Sequence, residues 1–335
     1  MIHSRSTIDI RGFRTALRPW FRRHGRDLPW RRTRDPYAIL VSEFMLQQTQ
    51  VTAVIPFYHA WLRRFTTFAA LAAATENDVL HAWQGLGYYA RARNLHAAAK
   101  AVQDRHGGIF PRDIDSIRAL PGIGRYTANA VATFAFDQSV PIVEANTARL
   151  LARLFNIDSA IDSAAGREKL WHAATMLVPK QNAGHFNSAL IDLGATVCLP
   201  RAPKCGICPA KTLCLAPNPE TLPIKKERLK TKTLIENHAL ITTPNKILLQ
   251  QSTDRWRGLW TLPPLNGDCF KQSTLPARAI HTSIFPFTHH RITLRVFRQT
   301  QRKIDNRIQR WFSRNQLNSI PMPSPHRRAL LALLH

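Results

Sequence analysis

Acidic residues are scarce in this chain. Only 21 Asp plus Glu stand against 47 Lys plus Arg in 335 residues, a formal charge of +26. That imbalance points to a polyanionic partner, nucleic acid first, the alternatives being a membrane surface or a charge that only aids solubility. No apolar run approaches the length that crosses a bilayer, so no membrane-spanning segment is expected. Internal repeats and long low-complexity segments are missing, which excludes solenoid and fibrous architectures. Cysteine is rare: five residues, an odd number, in a large chain with no secretory signal argue against a disulfide scaffold. The Arg-rich N-terminus imitates a transit peptide, but Phe13, Leu17, Trp20 and Phe21 begin a domain-like apolar pattern almost at once. Reduced cysteines imply an intracellular site, cytoplasmic for a bacterial source, with nucleus or mitochondrion the alternatives for a eukaryotic one; a monomer is expected. With 44% hydrophobic residues the length suffices for two ordinary cores.

Four of the five cysteines, Cys198, Cys205, Cys208 and Cys214, follow the order C-x6-C-x2-C-x5-C. Four thiolates converging on one point suit tetrahedral zinc or a 4Fe-4S cluster. A zinc ribbon uses two separate short knuckles, whereas here one loop has unequal gaps, so the spacing argues against ordinary zinc. Cys269 is expected to be a small apolar residue. Upstream, apolar residues at helical spacing such as Val51, Val54, Ile55, Tyr58 and Leu62 predict a helical domain over residues 1–217. Residues 218–233 are basic and contain prolines, a linker composition. Short β-type runs at 238–242, 247–249 and 291–297 predict a second, α+β domain over 234–335.

Within the helical part, LPGIGRYTANAV (residues 120–131) is a Gly-x-Gly turn that opens into a helix. Such a turn exposes backbone N–H groups of Gly122 and Gly124 at a positive helix end, where a phosphate can sit. Flanked by apolar helices, it resembles the helix-hairpin-helix element that grips DNA backbone without reading sequence. SEFMLQQTQV (residues 42–51) places Glu43 at the start of an otherwise apolar and amide-rich helix. A carboxyl there either complements the helix dipole or, in a mostly apolar pocket, has a raised pKa and donates a proton near neutrality.

The cysteine loop resembles that of the endonuclease III and MutY group of DNA glycosylases, and S-E before M-L-Q-Q-T-Q-V is similar to the hallmark of MutY-type adenine DNA glycosylases. The resemblance implies a 4Fe-4S cluster that is structural or DNA-positioning, Glu43 as the acid that protonates departing adenine, and Gln48 and Thr49 at the DNA. GLGYYARARNL (residues 85–95) resembles the family segment whose Leu and first Tyr enter the base stack, roles that would fall to Leu86 and Tyr88. The family's D-G-N reads E-A-N here. Glu144 takes the position of the sugar-stabilising Asp and Ala145 that of the Gly; one extra methylene moves the carboxylate, and a misplacement of ~1 Å can cost on the order of a hundredfold in rate. Tyr126 stands where endonuclease III-like enzymes carry the Schiff-base lysine, which argues against a lyase. In the C-terminal part, FTHH (Phe287, Thr288, His289, His290) resembles the F-S-H loop that recognises 8-oxoguanine, Thr keeping the hydroxyl. WRGLWTLP (residues 256–263) looks like a stretch of the family's Nudix-like domain, without the glutamate-rich box of nucleotide hydrolases. The basic strand 291–298 is expected to be solvated or to face DNA.

The resemblance thus implies a mainly α helix-hairpin-helix glycosylase of two helical subdomains plus a C-terminal Nudix-like α+β domain. Its expected substrate is adenine opposite 8-oxoguanine or guanine in double-stranded DNA, with Glu43, Glu144 and Tyr126 catalytic. The rivals are an endonuclease III-like glycosylase and lyase for damaged pyrimidines, and a non-catalytic DNA-binding descendant disabled by E-A-N.

Overall fold

A computed structural model of the chain describes residues 7–227, 231–265, 278–300 and 304–334; Cys269 lies outside them. Contacts divide the chain into two compact units, one of residues 1–69 and 97–227, the other of 70–96 and 228–335.

The first unit is helical. In α1 (Ile10–His24) the Asp9 side chain caps Gly12 N–H, and Phe13 and Leu17 are buried. In α2 (Pro36–Leu46) Asp35 caps the N–H groups of Tyr37 and Ala38, with Pro36 at the first helical position. The Asp-Pro pair therefore starts this helix several residues before Glu43. The expectation that Glu43 opens its helix is corrected: it lies in the last turn, and the chain breaks before α3 (Val51–Arg64) at Gln48, whose φ is 56°. Helix α3 buries Val54, Tyr58 and Trp61, the face that its apolar spacing predicts. Helix α4 (Phe68–Ala73) and helix α6 (Ala90–His106) run across the division at 69/70 and 96/97, and α5 (Glu76–Ala82) belongs to the second unit; α7 (Ile114–Arg118), α8 (Arg125–Phe136), α9 (Ala145–Leu154), α10 (Ala164–Leu177) and α11 (Ala183–Thr196) belong to the first. Leu17, Leu151, Leu170, Leu177, Leu190 and Leu193 from α1, α9, α10 and α11 share one core, which continues into Cys198 and Ala210 of the cysteine loop. Gly194 permits the close approach of α11 to α9, since a Cβ there would lie 2.7 Å from the Asn146 carbonyl oxygen. The first part of the basic linker is held on this unit: the Ile224 carbonyl accepts from Ile161 N–H and Lys226 N–H donates to Asp162.

Among its described residues the second unit has two three-stranded sheets. One has the order β1 (Lys232–Leu240), β5 (His290–Arg298), β4 (His281–Phe287), with β1 parallel and β4 antiparallel to β5. The other has the order β3 (Trp260–Thr261), β2 (Lys246–Gln251), β6 (Gln309–Ser313), all antiparallel. The alternation of RITLRVF buries Ile292, Leu294 and Val296 on one face. They meet Leu249, Leu262 and Phe285, and Ala329 and Leu330 of α12 (Ser324–Leu334) complete the core. This is an α+β arrangement, as expected.

Candidate active site and cysteine loop

In the first unit a cavity of about 980 Å³ is walled by the last turn of α2, the start of α8, the start of α9 and one face of α11. Glu43, Tyr126 and Glu144, far apart in sequence, all line it. Leu28, Trp30, Leu46, Val51 and Ile191 supply apolar wall, and Gln48 and Thr49 stand at its edge.

Glu43 is 5% exposed, and burial pushes its carboxyl up to about 7. The Tyr126 hydroxyl, which donates to it, and the Arg31 charge oppose that rise; the Glu144 charge adds to it. Tyr126 is in turn held well above its ordinary value by burial and then by the charges of Glu43 and Glu144, so it remains an O–H donor. Its place follows from the Gly-x-Gly turn: Gly122 has φ 73°, which only glycine adopts without strain, and Gly124 is the N-cap of α8 with no side chain on the exposed N–H groups.

Glu144 is the N-cap of α9. One carboxylate oxygen accepts from Thr147 N–H at 2.8 Å, and the other accepts from Asn146 N–H at 2.9 Å and Asn146 Nδ2 at 3.1 Å. Thr147 Oγ1 accepts from Glu144 N–H at 2.8 Å, closing a reciprocal capping box. Burial raises the Glu144 carboxyl, while those backbone donors, the Arg149 charge and the Asn146 amide oppose the rise. This accounts for the E-A-N-T sequence as a unit: Thr at position 147 supplies a bond that an apolar residue cannot.

Sequence reasoning missed a third buried charge cluster beside the cavity. Asp192 of α11 is wholly buried and receives Arg31 through two bonds of 2.8 Å each. It also accepts from the backbone N–H and Nε of Arg26 at 2.8 Å. Burial raises Asp192, but these guanidinium contacts outweigh it and hold the carboxylate below its usual range. Arg26 and Arg31 thereby hold the wall that carries Leu28 and Trp30. No local signal marks such a set, because its partners are 161 and 166 residues apart.

The four cysteines of the loop are unpaired, Cys198 buried and the others half-buried. Burial first, and then the mutual influence of Cys198, Cys214 and Cys205, pushes the Cys208 thiol up to about 11. Among the described residues no three His, Cys, Asp or Glu side chains converge closely enough for a single metal ion. One side chain nevertheless places positive charge against the loop. The guanidinium of Arg153, 1% exposed, donates to Cys198 Sγ at 3.3 Å, to Leu199 O at 2.6 Å, to Pro200 O at 3.2 Å and to Leu222 O at 2.9 Å. A buried cation surrounded by carbonyls and sulfur calls for negative charge nearby. Arg149, one turn earlier, donates to Cys198 O at 2.7 Å and to Asn146 Oδ1 at 3.0 Å, so the loop and the Glu144 cap rest on the same helix.

The remaining candidates lie in the second unit. Tyr88 is 43% exposed with φ 48° and directly follows Gly87, while Leu86, between Gly85 and Gly87, is buried. Phe287, Thr288 and His289 form the β4–β5 corner, with Thr288 at φ 51°.

The HhH-GPD superfamily of base excision DNA repair proteins matches residues 41–175, the stretch that holds the Gly-x-Gly turn, Glu43 and Glu144. A thermostable thymine-DNA glycosylase of known structure superposes with a TM-score of 0.57 at 32% identity, covering 61% of this chain and 94% of that one. The adenine DNA glycosylase of Buchnera aphidicola (Acyrthosiphon pisum strain) is 34% identical over 250 residues, 73% of this chain and 71% of that protein. The human adenine DNA glycosylase is 39% identical over 250 residues, 72% of this chain but only 44% of its own length. These likenesses define a helix-hairpin-helix base excision glycosylase fold. Within that superfamily, the chain belongs to the adenine DNA glycosylase family.

Proposed function

We propose that the chain hydrolyses the N-glycosidic bond of adenine paired with 8-oxoguanine or guanine in double-stranded DNA. The observation that carries the reading is the meeting of Glu43, Tyr126 and Glu144 in one cavity, Glu43 with a pKa near 7. An extruded adenine enters the cavity and takes the Glu43 proton as the C–N bond breaks. The sugar is left cationic, and the Glu144 carboxylate, backed by the α9 N-terminus, offsets that charge while Tyr126 keeps Glu43 oriented. Water adds to the sugar carbon and returns a proton to Glu43. Tyr126 offers no amine, so a Schiff-base step is not part of the reaction.

The partner is DNA. The open Gly122–Gly124 turn suits a backbone phosphate, exposed Tyr88 suits insertion into the stack, and Thr288 with His289 suits reading the base opposite adenine. Cys198, Cys205, Cys208 and Cys214 would hold a 4Fe-4S cluster, which organises the loop and supplies no bond chemistry. Single-turnover assays on an adenine:8-oxoguanine duplex should release adenine and leave an intact strand until alkali is added. Borohydride trapping of a covalent complex would favour the endonuclease III-like rival, and binding without turnover the inactive one. The protein should be brown with about four irons per chain; a colourless protein with one zinc would end that assignment.

A further inference from the structure

Residues 70–96 and 228–335, though separated by most of the helical domain in sequence, form one compact unit. Their joints are largely polar. Arg93 donates to the Arg257 carbonyl at 2.7 Å. Arg327 donates to Gln84 Oε1 at 3.1 Å and to the Ile320 carbonyl at 3.0 Å, and His81 Nε2 lies 3.1 Å from the Asn318 carbonyl. At Gly258 the two stretches come so close that a Cβ would lie 3.1 Å from Glu76 Oε1 and Leu80 Cδ1.

What these joints connect gives them meaning. The Tyr88 turn is a tyrosine in a left-handed conformation, a strain that persists only where the surroundings over-determine it. Arg91 braces it from below: its guanidinium lies 5.4 Å from the Trp83 ring and 5.5 Å from the Tyr88 ring, and donates to the carbonyls of Leu86 and Gly87. One helical step on, Arg93 reaches the carbonyl that follows Trp256. The Trp256 ring stands edge-on to Phe287 at 6.3 Å, and the Arg255 guanidinium lies 4.9 Å from the same Phe287 ring. Phe287 is the first residue of the corner that presents Thr288, itself left-handed, and His289. Two strained, outward corners are thus the ends of one continuous packed series within one unit.

We infer that Arg93 and Arg327 are positioning residues that hold the Tyr88 corner at a fixed reach from the Thr288–His289 corner, making base reading by one and stack insertion by the other a single event. The inference rests on the DNA reading proposed above. A free Tyr88 turn would insert without regard to the opposite base; a turn tied to the reading corner inserts when that corner is seated.

The test uses the full chain, with 2-aminopurine next to the target adenine reporting unstacking by its fluorescence. Arg93→Gln and Arg327→Gln should each lower the preference for adenine opposite 8-oxoguanine over adenine opposite guanine by about tenfold, the worth of a charge-assisted hydrogen bond, with a matching loss of the unstacking signal. Gln84→Ala opens the Arg327 joint more gently and should give the same direction should Arg327→Gln not fold. In a Tyr88→Ala background the same substitutions should change nothing further, because their effect passes through Tyr88. Unchanged preference overturns the inference. So do losses that add in full to Tyr88→Ala with a salt slope lower by about one, which would make Arg93 a phosphate contact. A wild-type chain that excises no adenine overturns the reading beneath it and the inference with it.

Discussion

Glu43 and Glu144 face one cavity from opposite kinds of helix end. Glu43 occupies the last turn of α2, where the helix dipole disfavours negative charge, in a buried setting whose hydrogen bond comes from Tyr126. Glu144 is the cap of α9, at a positive end, with three donors on its two oxygens. The residue type is the same, and the environments differ: burial raises both carboxyls, but the donors at the α9 end oppose that rise at Glu144, whereas Glu43 is pushed up to about 7. The charge of the second also helps to keep the first protonated.

The strongest way to break this comparison is to remove the proton. Glu43→Gln should slow single-turnover excision by ~10³-fold while lesion DNA still binds, within the usual range for a general acid. The same variant tests the burial. Because the folded pKa of Glu43, about 7, lies above its ordinary 4.5, its favourable contribution is complete below the unfolded value and is lost as pH rises through 7. At pH 8 the buried charge costs about 3 kcal/mol. Glu43→Gln should therefore melt higher than wild type at pH 8 and equally at pH 4.5. Equal melting at both pH values would show that the carboxyl is not buried in solution. In the wild type, excision should decline above about pH 7 as Glu43 ionises.

Next in size is Glu144→Gln, which keeps a cap acceptor and removes the anion. Excision should fall ~10²-fold, the scale of losing one preorganised electrostatic partner. The pH profile sharpens the comparison further. With the neighbouring charge gone, Glu43 should titrate lower, so the alkaline limb of the residual activity moves to lower pH. A limb that stays in place would show that the two carboxyls do not sense each other, and full activity would exclude Glu144 from the chemistry.

Parts of this arrangement are legible in the sequence because they are local. The Gly-x-Gly turn, the cysteine spacing and the alternating strand RITLRVF each carry their geometry in adjacent residues, and the structure has the helix start, the loop and β5 in those places. Helix boundaries around Glu43 are misread because an apolar run gives no sign of where a helix begins, whereas Asp35-Pro36 does. The Asp192 set is illegible for a different reason: pairing over 161 residues has no sequence signature. The grouping of residues 70–96 with the C-terminal part is hidden likewise, since its joints pair residues far apart in sequence and two of them use backbone carbonyls, which every residue possesses.

The finest test leaves both carboxyls in place and loosens one. Thr147 is completely buried, and its hydroxyl accepts from Glu144 N–H while lying 3.1 Å from the Glu144 carbonyl oxygen. Valine fills the same volume without the hydroxyl, so Thr147→Val leaves a buried N–H unpartnered at a cost of about 1–2 kcal/mol, read as a lower melting temperature. The Glu144 carboxylate keeps its Asn146 and Thr147 backbone donors, so its charge persists and the pH limb of Glu43 should not move. Excision should fall only about threefold, since the anion remains but its backbone is less firmly set. A drop as deep as that of Glu144→Gln would instead make the hydroxyl of Thr147 the group that places the carboxylate, and the stabilising role would belong to the capping box as a whole rather than to Glu144 alone.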